Sequence, residues 1–109
     1  MATSGLLLIL RVVKYLHRRG PIAVALSAQL LRSGTSAGAN YEEADGGSSA
    51  RDTLAKRKIV LRELKESAFR RQVLRRAGCL TAAHDPVLAE TNELIKIVAT
   101  LVRKAEASR

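Results

Sequence analysis

The chain has 109 residues, with 19 Lys and Arg against 10 Asp and Glu and a formal charge of +9. That length suits one domain with one core, so residues 1–109 read as a single unit. Tyr15, Tyr41 and Phe69 are the only aromatics, so the core has to be aliphatic. The lone Cys79 excludes an intramolecular disulfide and a cysteine-based metal site, and fits a reduced, half-buried thiol in a cytoplasmic protein.

Proline occurs only at 21 and 86, and Leu, Ala, Arg, Glu and Lys dominate, a mixture that favours helix over strand. A first helix is expected over about 4–18, with Leu6, Ile9, Leu10, Val13 and Leu16 on one stripe at 3/4 spacing. Leu7, Leu8 and Val12 lie off it, so the first two turns are apolar nearly all round. The apolar run Leu6–Leu10 stops at Arg11. Secretory cores need about 7–15 residues and membrane spans about 20, so neither a leader nor a membrane segment is expected.

Gly20-Pro21 breaks the chain, and Pro21 suits the first turn of a second helix over 21–45. Its expected stripe is Ile22, Leu26, Leu30, Ala37, Tyr41 and Ala44, with Gly46-Gly47 ending it. A third helix, over 49–77, starts with Ser49 and Asp52 in the manner of a capping box and ends at Gly78. Ala50, Leu54, Leu61, Leu64 and Ala68 share one face. Ile59, Phe69 and Val73 form a smaller second apolar strip. The fourth, over 86–106, is expected to start on Asp85 as N-cap and Pro86, with Val87, Leu94, Ile95, Val98, Leu101, Val102 and Ala105 inward. Short connections between successive helices predict an all-α, antiparallel, up-down-up-down four-helix bundle.

Gly34-Thr35-Ser36-Ala37-Gly38 spells G-x-S-x-G, the nucleophile elbow of serine hydrolases. That motif works on a strained strand-to-helix turn beside a histidine base. Here the flanks keep a helical period, and His17 and His84 have no sheet to bring them to Ser36. An esterase built on Ser36 is therefore the weakest reading, and no catalytic residue is assigned. A phosphate loop fails as well, since Gly34 and Gly38 are four apart and no Gly-Lys-Ser/Thr follows. The packing reading is preferred: Gly34 and Gly38 make a low-bulk side on which another helix packs, with Asn40 and Glu43 placed to hydrogen-bond across helices. His17 and His84 lack ligands at i+3 or i+4, so neither a metal nor a cofactor is expected.

The positive charge is concentrated. Between Arg51 and Arg76 stand ten basic residues against Asp52, Glu63 and Glu66, so the third helix carries +7 of the +9. Lys58/Arg62 and Arg71/Arg75 place like charges at i,i+4, a spacing that repels by a few tenths of a kcal/mol on an isolated helix. Lys56, Arg57, Lys58, Arg62, Lys65, Arg70, Arg71, Arg75 and Arg76 are the candidate nucleic-acid-binding residues. No helix-turn-helix signature or aromatic interleaving accompanies them, so binding would follow backbone charge or shape. An acidic partner protein would meet the same face equally well.

Arg32, Ser33, Thr35 or Ser36, Asn40, Glu43 and Ala44 match the pattern R-S-x-S-x-x-x-N-x-x-E-A. Asp52, Lys58-Ile59-Val60, Glu63, Glu66 and Ser67 match an acidic-apolar start, a K-I-A/V core and an E-x-x-E-S/T stretch. On these motifs the chain, closely over 29–81 and loosely elsewhere, resembles the four-helix-bundle proteins encoded in intervening sequences of bacterial 23S ribosomal RNA genes. It departs from that pattern at Phe69-Arg70-Arg71, where the family often has Tyr-Trp-Leu, at Thr53-Leu54, and in a shorter first helix. The resemblance implies a homo-oligomer, typically a five-membered ring, with no established enzymatic activity. A similar bundle is the accessory protein of diversity-generating retroelements, which binds a reverse transcriptase and nucleic acid. The expectation is thus a non-catalytic, RNA- or nucleic-acid-binding oligomer. The alternative is a protein-interaction scaffold or accessory subunit for an acidic partner.

Overall fold

The computed structural model describes residues 10–46 and 48–108. The first helix, α1, is seen over 10–16. It is followed by α2 (Pro21–Asp45), α3 (Ala50–Arg76), a 3-10 turn at Ala82–His84 and α4 (Asp85–Ala107). No strand occurs among the described residues. What was expected of residues 4–9 and of Gly47 lies outside them. No described helix is long and apolar enough to cross a membrane.

α3 is the spine. Its 27 residues span about 40 Å at 1.5 Å per residue, close to the 47 Å long axis of the molecule, and it packs against both α2 and α4. Ion pairs fix both senses as antiparallel. Glu43 late in α2 meets Lys56 early in α3, and Lys58 meets Glu106 near the end of α4.

The helix ends follow local chemistry. The Ser49 hydroxyl accepts from the Asp52 N–H at 3.0 Å, which caps α3 as expected. At its other end Gly78 adopts φ +81°. The Cys79 N–H then reaches the Leu74 carbonyl at 2.9 Å and the Gly78 N–H reaches that of Arg75 at 3.2 Å, the paired bonds of a Schellman termination. The start of α4 differs from expectation. Asp85 is not its N-cap but a residue of its first turn, because the preceding 3-10 turn has its own capping box. The Thr81 hydroxyl accepts from the Ala83 N–H, and His84 Nδ1 accepts from the Thr81 N–H at 3.1 Å. The Asp85 carboxylate is thereby free to accept from Arg75 Nε at 3.0 Å.

Two aliphatic clusters form the core among the described residues. One gathers Val12, Val13, Leu16, Ala23, Leu30, Leu74 and Leu80. The other gathers Ala37, Leu54, Val60, Leu64, Val98 and Val102. Polar residues occupy the level between them: Ser33, Ser67, Arg71 and Thr91 are all buried. Some expected inward positions shift accordingly. Ile22 is 74% exposed while Ala23 and Ser27 are buried, because the inner face of α2 is carried by small residues that apolarity alone passes over. The Ser27 and Ser33 hydroxyls donate to the carbonyls of Val24 and Leu30 on their own helix, which satisfies them inside the core. Likewise Val12 is buried although it lies off the apolar stripe of α1, and Leu10 on that stripe is exposed.

Of the four packing candidates, Gly34 is buried and Glu43 bonds across to α3. Gly38 and Asn40 behave differently. A Cβ at Gly38 would meet no atom within 4 Å, because the residue sits at the edge of the inner face and no helix backbone closes on it among the described residues. The Asn40 amide donates to the Ser36 carbonyl at 2.9 Å, one turn back on α2 rather than across to a neighbour. With open space and a helical backbone, Gly38→Ala should raise the free energy of unfolding by about 0.5–1 kcal/mol. Urea denaturation measures this; a loss of stability would restore the close-packing reading.

Candidate nucleic-acid interface

The seam between α2 and α3 is built from charge. Arg32 of α2 reaches Glu66 at 2.8 Å and Glu63 at 3.5 Å. Arg70 approaches Glu66 from the other side at 3.5 Å. The Arg32 hydrogen bond holds the Glu66 carboxyl below the usual carboxylate range, against the opposing effect of burial. Lys56 closes the far end of the seam on Glu43 at 2.6 Å.

Arg71 is not on the surface. It is 3% exposed, at the polar level between the two clusters. One of its terminal nitrogens donates to the Thr91 hydroxyl and to the Val87 carbonyl, and the other to the Ser67 hydroxyl at 3.1 Å. Its Nε has no partner among the described residues. Burial pushes the guanidinium down to about 10, with Glu90 opposing, so it stays charged at neutral pH. The side chain also borders a cleft of ≈ 10 Å³ shared with Arg75, His84 and Asp85, with room for about one water molecule.

The nine candidate basic residues therefore separate. Lys56, Arg70 and Arg75 are committed to Glu43, Glu66 and Asp85 at the helix seams. Arg71 is internal, and Arg57 is half-buried. Lys58, Arg62, Lys65 and Arg76 remain exposed, and Arg51 joins them. At 100° per residue, positions 51, 58, 62, 65, 69 and 76 fall on one narrow line along α3. This line is opposite the buried face, and Asp52, Glu63 and Glu66 lie off it. Among the described residues only Lys58 has a close counter-ion there, Glu106 at 3.1 Å; Arg62 is 3.9 Å from Glu63.

The same ridge carries an aromatic. Phe69 is 65% exposed and Val73 41%, so part of the expected second apolar strip joins the cations, where no aromatic interleaving was expected. The signal was present in the spacing: Phe69 stands at i+4 from Lys65 and i+7 from Arg62.

The G-x-S-x-G segment lies wholly inside α2. Ser36 is half-buried in regular helix, not on a strand-to-helix turn. His84 is held by the Thr81 turn and half-buried, its ring 4.4 Å from that of Tyr15. Cys79 is a half-buried free thiol.

No protein-family model matches the chain, and no curated protein does. Among solved structures it is similar to a protein of unknown function from the S23 ribosomal protein family of Bacteroides thetaiotaomicron. The two share 27% sequence identity and a TM-score of 0.83, over 93% of this chain and 94% of that one.

Two outcomes are expected. Arg71→Met removes a buried charge that has no carboxylate in contact among the described residues, and should raise stability by about 1–2 kcal/mol in urea denaturation; a destabilised variant would mean the polar layer is worth more than its desolvation. For Glu66, the folded carboxyl titrates below the unfolded value near 4.5. Its stabilising contribution is thus complete above about pH 5 and lost as pH falls through the folded value. Arg32→Gln should flatten the decline in urea midpoint as pH falls below about 5, and an unchanged acid limb would argue against the clamp.

Proposed function

We propose that this chain is a non-catalytic nucleic-acid-binding bundle, working as a homo-oligomer, whose contact surface is the outward ridge of α3: Arg51, Lys58, Arg62, Lys65 and Arg76. The observation that carries the reading is the segregation of charge on one helix. Cations facing α2 and α4 are neutralised by Glu43, Glu66 and Asp85, while those facing outward stand in line with a single close counter-ion. Such a line suits a polyanion, which relieves the mutual repulsion and releases its own counterions on binding. RNA is the preferred polyanion, in keeping with the ribosomal-protein name of the family of its structural neighbour and with the motif resemblance to bundles encoded in 23S ribosomal RNA intervening sequences. Assembly into a ring would present several ridges to one strand and raise avidity without new contacts.

The test is fluorescence anisotropy of a labelled RNA over a salt series, with light scattering for the assembly. Affinity should fall steeply with salt. Arg62, Lys65 and Arg76 changed together to Glu should abolish binding at physiological salt, and each single neutralisation should reduce the salt slope by about one. Arg75→Gln, at a seam, should leave affinity within about twofold. Absent or salt-insensitive binding by the unmodified protein would overturn the proposal; so would a stoichiometric acidic protein that binds the same ridge in its place.

A further inference from the structure

The basic ridge has one member that phosphate binding does not explain. Phe69 is 65% exposed, one turn beyond Lys65 and two turns before Arg76 on the same line of α3. An uncovered phenyl ring costs solvation and contributes nothing to a phosphate backbone. One turn away on either side stand Lys65 and the exposed Gln72 and Val73, and the nearby Glu66 carboxylate is turned away to Arg32 and Arg70.

Resting on the reading above, we infer that the ridge takes single-stranded nucleic acid, with Phe69 as the platform on which an unpaired base stacks while Lys65 and Arg76 hold the flanking phosphates. The alternation is the reason. Rise along α3 puts Lys65 about 6 Å and Arg76 about 10 Å from the ring along the axis, so one ring lies between two phosphate-binding cations. In a duplex the base faces are already occupied by their neighbours, and a ring on the ridge finds only backbone. In a single strand they are available, and every base offers one. A second copy of this chain meeting it ridge to ridge is the poorer occupant, since that would set cation against cation with no acid on either line to receive them.

The chain contains no tryptophan, so Phe69→Trp installs a unique reporter on an exposed position. The probes are a single-stranded oligoadenylate RNA of about 12 nucleotides and an RNA duplex of about 12 base pairs, within the usual site-size range. Phe69→Ala should weaken binding of the single strand by about tenfold or more and leave the duplex within about twofold, with circular dichroism confirming the fold. Phe69→Trp should retain affinity for the single strand and lose fluorescence on binding it. Undiminished single-strand binding by Phe69→Ala, beside charge-reversal variants that lose both probes, would overturn the stacking role and leave the basic ridge standing. A fall in light-scattering mass for Phe69→Ala would overturn it also, by making Phe69 a subunit contact. Failure of the unmodified protein to bind either probe would overturn both readings together.

Discussion

The structure depends on the clamp that Arg32 places on Glu63 and Glu66. α2 offers α3 very little apolar bulk: its inner face is Ala23, Ser27, Leu30, Ser33, Gly34, Ala37 and Ala44. Small residues let helices approach, but they bury little area and so provide little hydrophobic drive. They also specify register weakly. The charged seam supplies the missing specificity. Glu63 has only 8% of its side chain exposed, and one of its oxygens has no hydrogen-bond partner among the described residues, so sliding α2 along α3 by a turn would take its nearer guanidinium away and leave only Arg62 at 3.9 Å. Arg32, Ser33, Glu43, Glu63, Glu66 and Ser67, which stand out as a sequence pattern, are therefore the parts of one helix–helix joint.

That joint also sorts the charge of α3. A helix with ten basic residues cannot turn them all outward, and the bundle takes up the excess through acids borne by its neighbours. Glu43 on α2 takes Lys56, and Asp85 on α4 takes Arg75. Within α3, Glu66 takes Arg70 while also receiving Arg32. What is left faces away from the bundle: Arg51, Arg62, Lys65 and Arg76, with Lys58 on the same line already paired to Glu106 of α4. The basic ridge is thus a residue of packing geometry, and its straightness follows from the helical repeat rather than from any local motif.

Fold class, helix number and most boundaries were legible because they rest on local signals: Pro21, Ser49, Gly78 and an aliphatic period that the Gly34–Gly38 segment does not interrupt. The start of α4 was misread because Asp85-Pro86 is a strong cap signal that a less conspicuous one, Thr81 with His84, displaced. The site was legible in its general place and not in its membership. Counting charge finds α3, but only the partners, Glu43 on α2, Asp85 on α4 and Glu66 on α3 itself, reveal that Lys56, Arg75 and Arg70 are committed. Arg71 was invisible for a further reason. An arginine reads as surface, and its burial depends on Ser67, Thr91 and the Val87 carbonyl, two of them on another helix.

Arg71 and Phe69 are best understood together. Where the pattern this chain resembles often has Tyr-Trp-Leu, this chain has Phe69-Arg70-Arg71. That run sends the ring outward at 65% exposure and the last guanidinium inward at 3%. Hydrophobicity alone would favour the reverse, since burying a phenyl group gains about 1.5–3 kcal/mol and burying a charge costs. The helical phase forbids that exchange. Residue 71 shares the inner face with Ser67, Leu74 and Leu64, and residue 69 shares the outer line with Lys65 and Arg76. Rotating α3 to bury Phe69 would bring Lys65 and Arg76 inward with it and expose Val60 and Leu64. The aliphatic contacts of the whole helix outweigh the preference of two side chains. The protein thereby keeps a buried guanidinium, held by two hydroxyls and a carbonyl, and an exposed ring in a row of cations.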